Sequence, residues 1–208
     1  MKKFAIIGGS FNPVTKAHVE IGKIAQKELP GWHIMYIPAP DRFLTSWKAM
    51  ESKDILSATQ RVNMLKKAIE PHGFLCEECE VEGKTSARTY DTMQYLRAQH
   101  GDDTQFIYVC GTDKLPEFHR WYKASEIFEL ARILVISRDG DDPEKLISES
   151  PFLSERKDKI LISREKRIYP DFSATRVRES IKNRDGKWRE IVPEEIIEDI
   201  ERMVSDVI

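Results

Sequence analysis

Long hydrophobic runs, a surplus of one charge and a regular cysteine pattern are all missing from this 208-residue chain. Without an apolar stretch of about 20 residues it offers no membrane-spanning helix. Lys and Arg number 33 against 35 Asp and Glu, a formal net charge of -2, so no basic field draws the chain to nucleic acid. Three cysteines are too few for a disulfide framework and fit a reducing compartment, which makes the cytoplasm the expected location. The start, Met1-Lys2-Lys3-Phe4, is basic and then apolar, as a signal peptide begins. Its apolar stretch stops at Gly8 with no adequate hydrophobic region or cleavage site, and reads better as a first strand. Repeats, low-complexity tracts and a convincing linker are absent too. Residues 1–208 therefore read as a single domain with a small helical part at the C-terminal end, long enough to bury a sizeable core.

What is present is alternation. Apolar runs at 3–7, 33–37, 74–81, 105–110, 133–136 and 160–162 read as strands. Helical patterns begin near Thr15, Thr59, Thr89, Ala124, Thr175 and Pro193. The first helix places Val19, Ile21, Ile24, Ala25 and Leu29 on one apolar stripe, and the last does the same with Ile196, Ile197, Ile200 and Val204. Strand–helix alternation predicts an α/β fold, a Rossmann-like doubly wound parallel sheet with helices on both faces. Ligands of such sheets sit beyond the carboxyl ends of the strands, at the switch point. Residues 38–58 and 139–158 are polar, show little periodicity and read as long loops, the first of a kind that often acts as a lid.

Two short segments carry chemistry. Gly8-Gly9-Ser10-Phe11-Asn12-Pro13-Val14-Thr15-Lys16-Ala17-His18 follows the first strand and opens a helix. Glycines after a strand let backbone amides approach an anion, and the helix adds its positive end. Phe11 can anchor the loop in the core, and Asn12 before Pro13 is a turn former. Thr15 can cap the helix, leaving His18 in the first turn to donate to a phosphate and to gain charge as the site becomes anionic. The plain alternative is a packed or surface helix histidine. The second segment, Ser173-Ala174-Thr175-Arg176-Val177-Arg178, starts a helix with hydroxyls and arginines. Together the two suggest a triphosphate gripped at both ends. Cys76-Glu77-Glu78-Cys79 invites a metal or redox reading, but no second Cys pair supplies further zinc ligands and the motif lies in a strand-like run.

These motifs resemble the nicotinate or nicotinamide mononucleotide adenylyltransferases of the nucleotidyltransferase superfamily. Gly9, Phe11, Asn12, Pro13, Thr15 and His18 match the family's G-x-F-[ND]-P-x-[HT]-x-x-H signature, and Ser173, Thr175 and Arg178 its S-x-T-x-x-R signature. Between them, Arg61-Val62-Asn63-Met64-Leu65, the Ser86 to Thr92 segment, Gly111-Thr112-Asp113, Trp121-Tyr122-Lys123, Ser137 to Gly140 and Ile191-Val192-Pro193 are similar to family segments. Thr15 and Ala17 stand where many bacterial members carry His and Gly, and the stretch from Asp41 to Lys48 matches poorly.

The resemblance implies adenylyl transfer from ATP to a pyridine mononucleotide, giving an NAD-type dinucleotide and pyrophosphate, with Mg²⁺ entering with ATP. It implies His18 and Arg178 as catalytic residues. ATP would be bound by Gly8, Gly9, Ser10, Phe11, Asn12, Thr15, His18, Ser173, Thr175 and Arg178. The mononucleotide would meet Lys48, Thr89, Gly111, Asp113, Trp121 and Arg138, with Trp121 stacking on the pyridine ring. Trp121 reads otherwise as a core tryptophan, Arg178 as a solvated helix arginine and Lys48 as a solvated loop lysine. Expected partners are ATP and the mononucleotide, without nucleic acid or membrane; family members range from monomers to larger assemblies, so a homo-oligomer fits as well. Two other functions share these motifs: a phosphopantetheine adenylyltransferase-like enzyme, which gives no reason for the Gly111 and Trp121 segments, and a nucleotide sensor without catalysis, against which the intact His18 and Arg178 speak.

Overall fold

The computed structural model describes residues 2–46, 50–51, 55–137, 140–165, 167–169 and 171–205. Six strands, β1 (Lys3–Gly9), β2 (His33–Pro38), β3 (Leu75–Cys76), β4 (Gln105–Gly111), β5 (Ala131–Ile136) and β6 (Ile160–Ile162), form one sheet in the order β3-β2-β1-β4-β5-β6. Every pairing is parallel. This is the doubly wound order expected of a Rossmann-like sheet, with its switch point between β1 and β4.

Strand side chains alternate between two cores. Ala5, Ile7, Ile34, Tyr36, Ile107, Val109, Leu134 and Ile136 face one; Phe4, Ile6, Met35, Ile37, Phe106, Cys110, Ile133 and Val135 face the other. A parallel sheet buried on both faces needs this period of two with apolar residues at both phases, which explains the unbroken apolar runs. Helices α1 (Lys16–Glu28) and α3 (Ala58–Ile69) cover the first face, joined there by α8 (Ala174–Asn183), α9 (Trp188–Ile191) and α10 (Ile197–Ser205). Helices α4 (Thr89–His100), α5 (Ala124–Leu130), α6 (Pro143–Glu149) and α7 (Pro151–Ser154) cover the second, with a 3-10 segment over Thr112–Arg120. The apolar stripes expected on α1 and at the C-terminal end pack into the first core.

Three expectations are corrected. The strand expected at 74–81 is the two-residue β3, continued only by the Glu77 amide donating to the Tyr36 carbonyl. Beyond it the Glu-rich chain turns, because Glu80 tucks inward to accept from the Thr92 hydroxyl at 2.7 Å. The 38–58 stretch holds a short helix, α2 (Asp41–Ser46), whose one buried residue, Leu44, leaves no periodic trace. The 139–158 stretch contains α6 and α7, started by Asp142 and Ser150 caps, each followed by proline.

Helix α1 is seated by a polar contact inside the core. The fully buried Tyr36 donates its hydroxyl to the His18 carbonyl at 2.8 Å, crossing the helix where Gly22 has no side chain. A Cβ on Gly22 would collide with the Tyr36 hydroxyl and lie 2.8 Å from the Phe74 ring. Gly22→Ala should therefore destabilise the protein by about 1–3 kcal/mol, read from urea denaturation. An unchanged midpoint would show that α1 lifts from β2 freely.

Candidate active site

The ladder between β1 and β4 ends at Ile6↔Tyr108, although Ile7-Gly8-Gly9 and Val109-Cys110-Gly111 continue as strand. The two strands part there and open the crevice of the switch point. Gly9 keeps its ladder partner Pro38 on the other side, and its carbonyl accepts from Ala39 at 2.9 Å. The chain then folds sharply back. Phe11 adopts φ 46°, is buried, and lies so close over Gly9 that a Cβ there would sit 2.8 Å from its ring. Gly9 is thus required by the close approach of Phe11, and the Asn12–Pro13 bond that follows is cis.

Thr15 caps α1 as expected, in a reciprocal capping box with His18. The Thr15 amide donates to His18 Nδ1 at 3.0 Å, which makes Nδ1 an acceptor and, in the neutral ring, assigns the proton to Nε2. The cap thus fixes the rotamer and tautomer of the residue expected to face phosphate. Phe11 adds an edge contact to the imidazole, with ring centroids 5.2 Å apart.

The two ends of the chain meet here. Arg178 Nη1 donates to the Asn12 carbonyl at 2.7 Å, across 166 residues, and its Nη2 donates to Thr175 Oγ1 at 3.2 Å. Val177 is fully buried in the core that also holds Phe11 and Val14. Ser173 caps α8 by accepting from the Arg176 amide at 3.3 Å. The α8 segment does not leave directly from the end of a strand: β6 ends at Ile162 and α8 begins at Ala174. The described residues between β6 and α8 are tied down by α1. Glu28 accepts from the Arg164 amide at 2.7 Å and the Ser163 hydroxyl at 3.0 Å. The buried Glu20 accepts from the amides of Ile168 and Tyr169 and faces the Arg167 guanidinium.

Arg61, completely buried, was not foreseen as part of the site. It donates to the Ser10 carbonyl at 2.7 Å, to the Leu56 carbonyl at 3.1 Å and to Asp41 Oδ1 at 2.7 Å. The Leu56 amide in turn donates to Asn12 Oδ1 at 2.8 Å. One guanidinium thereby ties the loop after β1, α2 and the start of α3 together. In the sequence Arg61 opens a segment similar to one of the family, but nothing there marks its side chain as buried.

Of the expected mononucleotide residues, Thr89 and Trp121 are brought together by a second unforeseen residue, Tyr108. Its hydroxyl is bonded to the Thr89 side chain, would lie 3.3 Å from a Cβ on Gly8, and has its pKa raised by burial. Trp121 stands edge-on to the Tyr108 ring at 5.5 Å, while Phe118 stacks on one face of the indole at 4.6 Å. Asp113 is exposed and paired with Lys114 at 3.0 Å, and its Oδ1 lies 2.5 Å from where a Cβ on Gly111 would stand. Lys48 and Arg138 lie outside the described residues. The Cys76 and Cys79 thiols are pushed up to about 12, chiefly by burial and then by neighbouring glutamates.

A family model described as cytidylyltransferase-like matches residues 6–180, a span running from β1 into α8 and taking in both motifs. A "probable nicotinate-nucleotide adenylyltransferase" of Clostridium botulinum (strain Alaska E43 / Type E3) is 30% identical over 203 residues, covering 97% of this chain and 96% of that one. The chain belongs to the nicotinate-nucleotide adenylyltransferase family. This nucleotidyltransferase is also 32% identical over 148 residues to a "probable nicotinate-nucleotide adenylyltransferase" of Clostridium perfringens (strain SM101 / Type A), covering 71% of this chain and 70% of that one. A solved structure of Plasmodium falciparum nicotinic acid mononucleotide adenylyltransferase complexed with NaAD matches with a TM-score of 0.70 at 17% identity, over 95% of this chain and 96% of that chain. At that identity the likeness is one of fold. No helix among the described residues is long and apolar enough to cross a membrane.

Glu80 underlies the loop that leads to Thr89. Burial raises its carboxyl from the ordinary 4.5 to about 7, opposed by the Thr92 hydroxyl and Arg42. A raised acid binds its proton more tightly in the folded state, so its stabilisation is full below about pH 4.5 and is lost as pH rises through about 7. Across that window the stability of the wild type minus that of Glu80→Gln should fall by on the order of 3 kcal/mol, which chemical denaturation at a series of pH values measures. A constant difference would mean that Glu80 titrates as if exposed.

Proposed function

We propose that this nucleotidyltransferase joins ATP to a pyridine mononucleotide, nicotinate or nicotinamide mononucleotide. A phosphate oxygen of the mononucleotide attacks the α-phosphorus of ATP, a new P–O–P bond forms, and the bond to the β-phosphate breaks to release pyrophosphate. The observation that carries this reading is the Arg178–Asn12 contact, which puts the N-terminal and C-terminal phosphate motifs on one crevice at the sheet's switch point.

The nucleophile is already an anion at neutral pH, so the reaction needs positioning and charge stabilisation more than a base. His18 Nε2–H donates to the ATP phosphates, held in that tautomer by Thr15. The first-turn amides of α8, with the Thr175 hydroxyl, cradle the outer phosphates, and Arg178 meets the charge that grows on the leaving pyrophosphate. Mg²⁺ enters with ATP as part of the substrate, bound to phosphate oxygens and water. Trp121 receives the pyridine ring on the face that Phe118 does not cover.

Purified protein given ATP, Mg²⁺ and either mononucleotide should release pyrophosphate and form the dinucleotide; turnover with neither overturns the reading. Turnover with phosphopantetheine instead would assign the related enzyme class. His18→Ala should lower kcat by ~10²-fold or more while mononucleotide binding holds. An unchanged kcat removes His18 from the mechanism. Trp121→Ala should raise KM for the pyridine substrate by the equivalent of ~1–3 kcal/mol, with KM for ATP little altered. Equal losses for both substrates would mark Trp121 as packing alone.

A further inference from the structure

Glu20 is a carboxylate buried beneath helix α1, two residues along it from His18. Its Oε1 accepts from the Ile168 amide, and its Oε2 accepts from the Tyr169 amide at 3.2 Å. Arg167 Nε lies 3.7 Å from Oε2, with both side chains only 7% exposed. Arg167 also donates through Nη2 to the Tyr169 carbonyl at 3.3 Å. One buried charge pair therefore holds Tyr169 by its amide and by its carbonyl.

What this pair holds leads straight into α8. The Phe172 amide donates to the Tyr169 carbonyl at 3.3 Å, and the two rings stack with centroids 5.0 Å apart. Ser173, next in the chain, is the cap of α8. Apolar burial gives this lead-in little hold: Ile168 is 77% exposed, and Phe172 is only partly buried against the first core. Behind the cap, Val177 and the Arg178–Asn12 contact hold the helix; ahead of it, the hold is Glu20.

Stability alone is a poor reason for such a pair. Two charges taken out of water recover their desolvation cost only with good geometry and further hydrogen bonds, and apolar residues of like volume often serve a fold as well. A carboxylate on two successive backbone amides does what an apolar side chain does not: it fixes direction as well as distance. We propose that Glu20 is a positioning residue for adenylyl transfer, setting the first turn of α8, with Thr175 and Arg178, against His18 around the ATP phosphates. This rests on the proposed reaction and on those residues meeting the phosphates. His18 and Glu20 leave α1 on nearly opposite sides, so one turn of one helix presents the imidazole and anchors the lead-in to its counterpart. A shift of that lead-in moves the donors of α8 and leaves the pyridine end of the crevice alone, and a reaction that works by positioning loses rate to such shifts.

The test is steady-state kinetics with ATP and each pyridine mononucleotide on the wild type, Glu20→Gln and the double variant Glu20→Leu/Arg167→Leu, each checked for folding by circular dichroism and urea denaturation. Glu20→Gln keeps the size of the side chain but turns a donor toward one of the two amides. It should raise KM for ATP roughly tenfold and lower kcat, while KM for the mononucleotide holds. A smaller folded fraction would instead lower kcat alone and leave both KM values where they were. The double variant removes both charges and keeps apolar volume, so it should fold and still show the loss confined to ATP. Binding of inorganic tripolyphosphate, read by calorimetry, should weaken in both variants by a similar factor. Unaltered KM for ATP and unaltered tripolyphosphate affinity in either variant, or equal increases in KM for both substrates, overturns the role of Glu20 while leaving adenylyl transfer intact. Turnover of neither mononucleotide by the wild type overturns the underlying reading and this inference with it.

Discussion

The guanidinium of Arg178 on the carbonyl of Asn12 is the contact on which the rest of the site depends. It joins a loop formed after the first strand to a helix formed after the last. Neither segment alone can surround a triphosphate, because a helix N-terminus offers donors over only one narrow solid angle. Set against each other through this contact, they present donors from two sides. The contact also explains the burial of Val177, which anchors α8 in the core beneath Phe11 and Val14 and leaves Arg178 little freedom.

Helix α1 transmits that constraint. It bears His18 near its start, receives the Tyr36 hydroxyl at the His18 carbonyl, and opposes its Glu20 and Glu28 carboxylates to the backbone of the return into α8. Both motif segments are thus referenced to one rigid rod, and Arg61 references the loop after β1 again from the side of α3. Carboxylates accepting from backbone amides make charge-assisted bonds, stronger and more directional than neutral ones. A site that works by positioning needs this kind of support behind its contacting groups.

The sheet, its parallel sense and both helical layers were legible because each rests on a repeated signal. Two-residue alternation in a buried strand and the apolar stripe of a helix survive errors at single positions. The loop chemistry at Gly9, Phe11 and Thr15 was legible because it is local. Arg61, Tyr108, Glu20 and Glu28 were not. Each acts mainly through partners far away in the chain, and a single arginine, tyrosine or glutamate carries no spacing that announces its partners. The β3 region failed for a related reason: the fate of 77–82 is decided by the Glu80–Thr92 contact, a long-range term stronger than strand propensity. Leu44 is likewise the one buried residue of α2, and one residue has no period.

Asn12 is also where three helices converge by their N-termini. Helix α1 begins just after it, Leu56 beside the α3 cap donates to its side chain, and α8 reaches its carbonyl through Arg178. None of these three has an acidic residue in its first turn, whereas α4, α5, α6 and α10 each do. An acid in the first turn stabilises a helix by typically ~0.3–1 kcal/mol. Helices α1, α3 and α8 forgo it. Hydroxyls at Thr15, Ser57 and Ser173 do the capping instead, satisfying amides without adding negative charge. The N-terminal ends of α1, α3 and α8 are thus held by hydroxyl caps alone, without a carboxylate in the first turn.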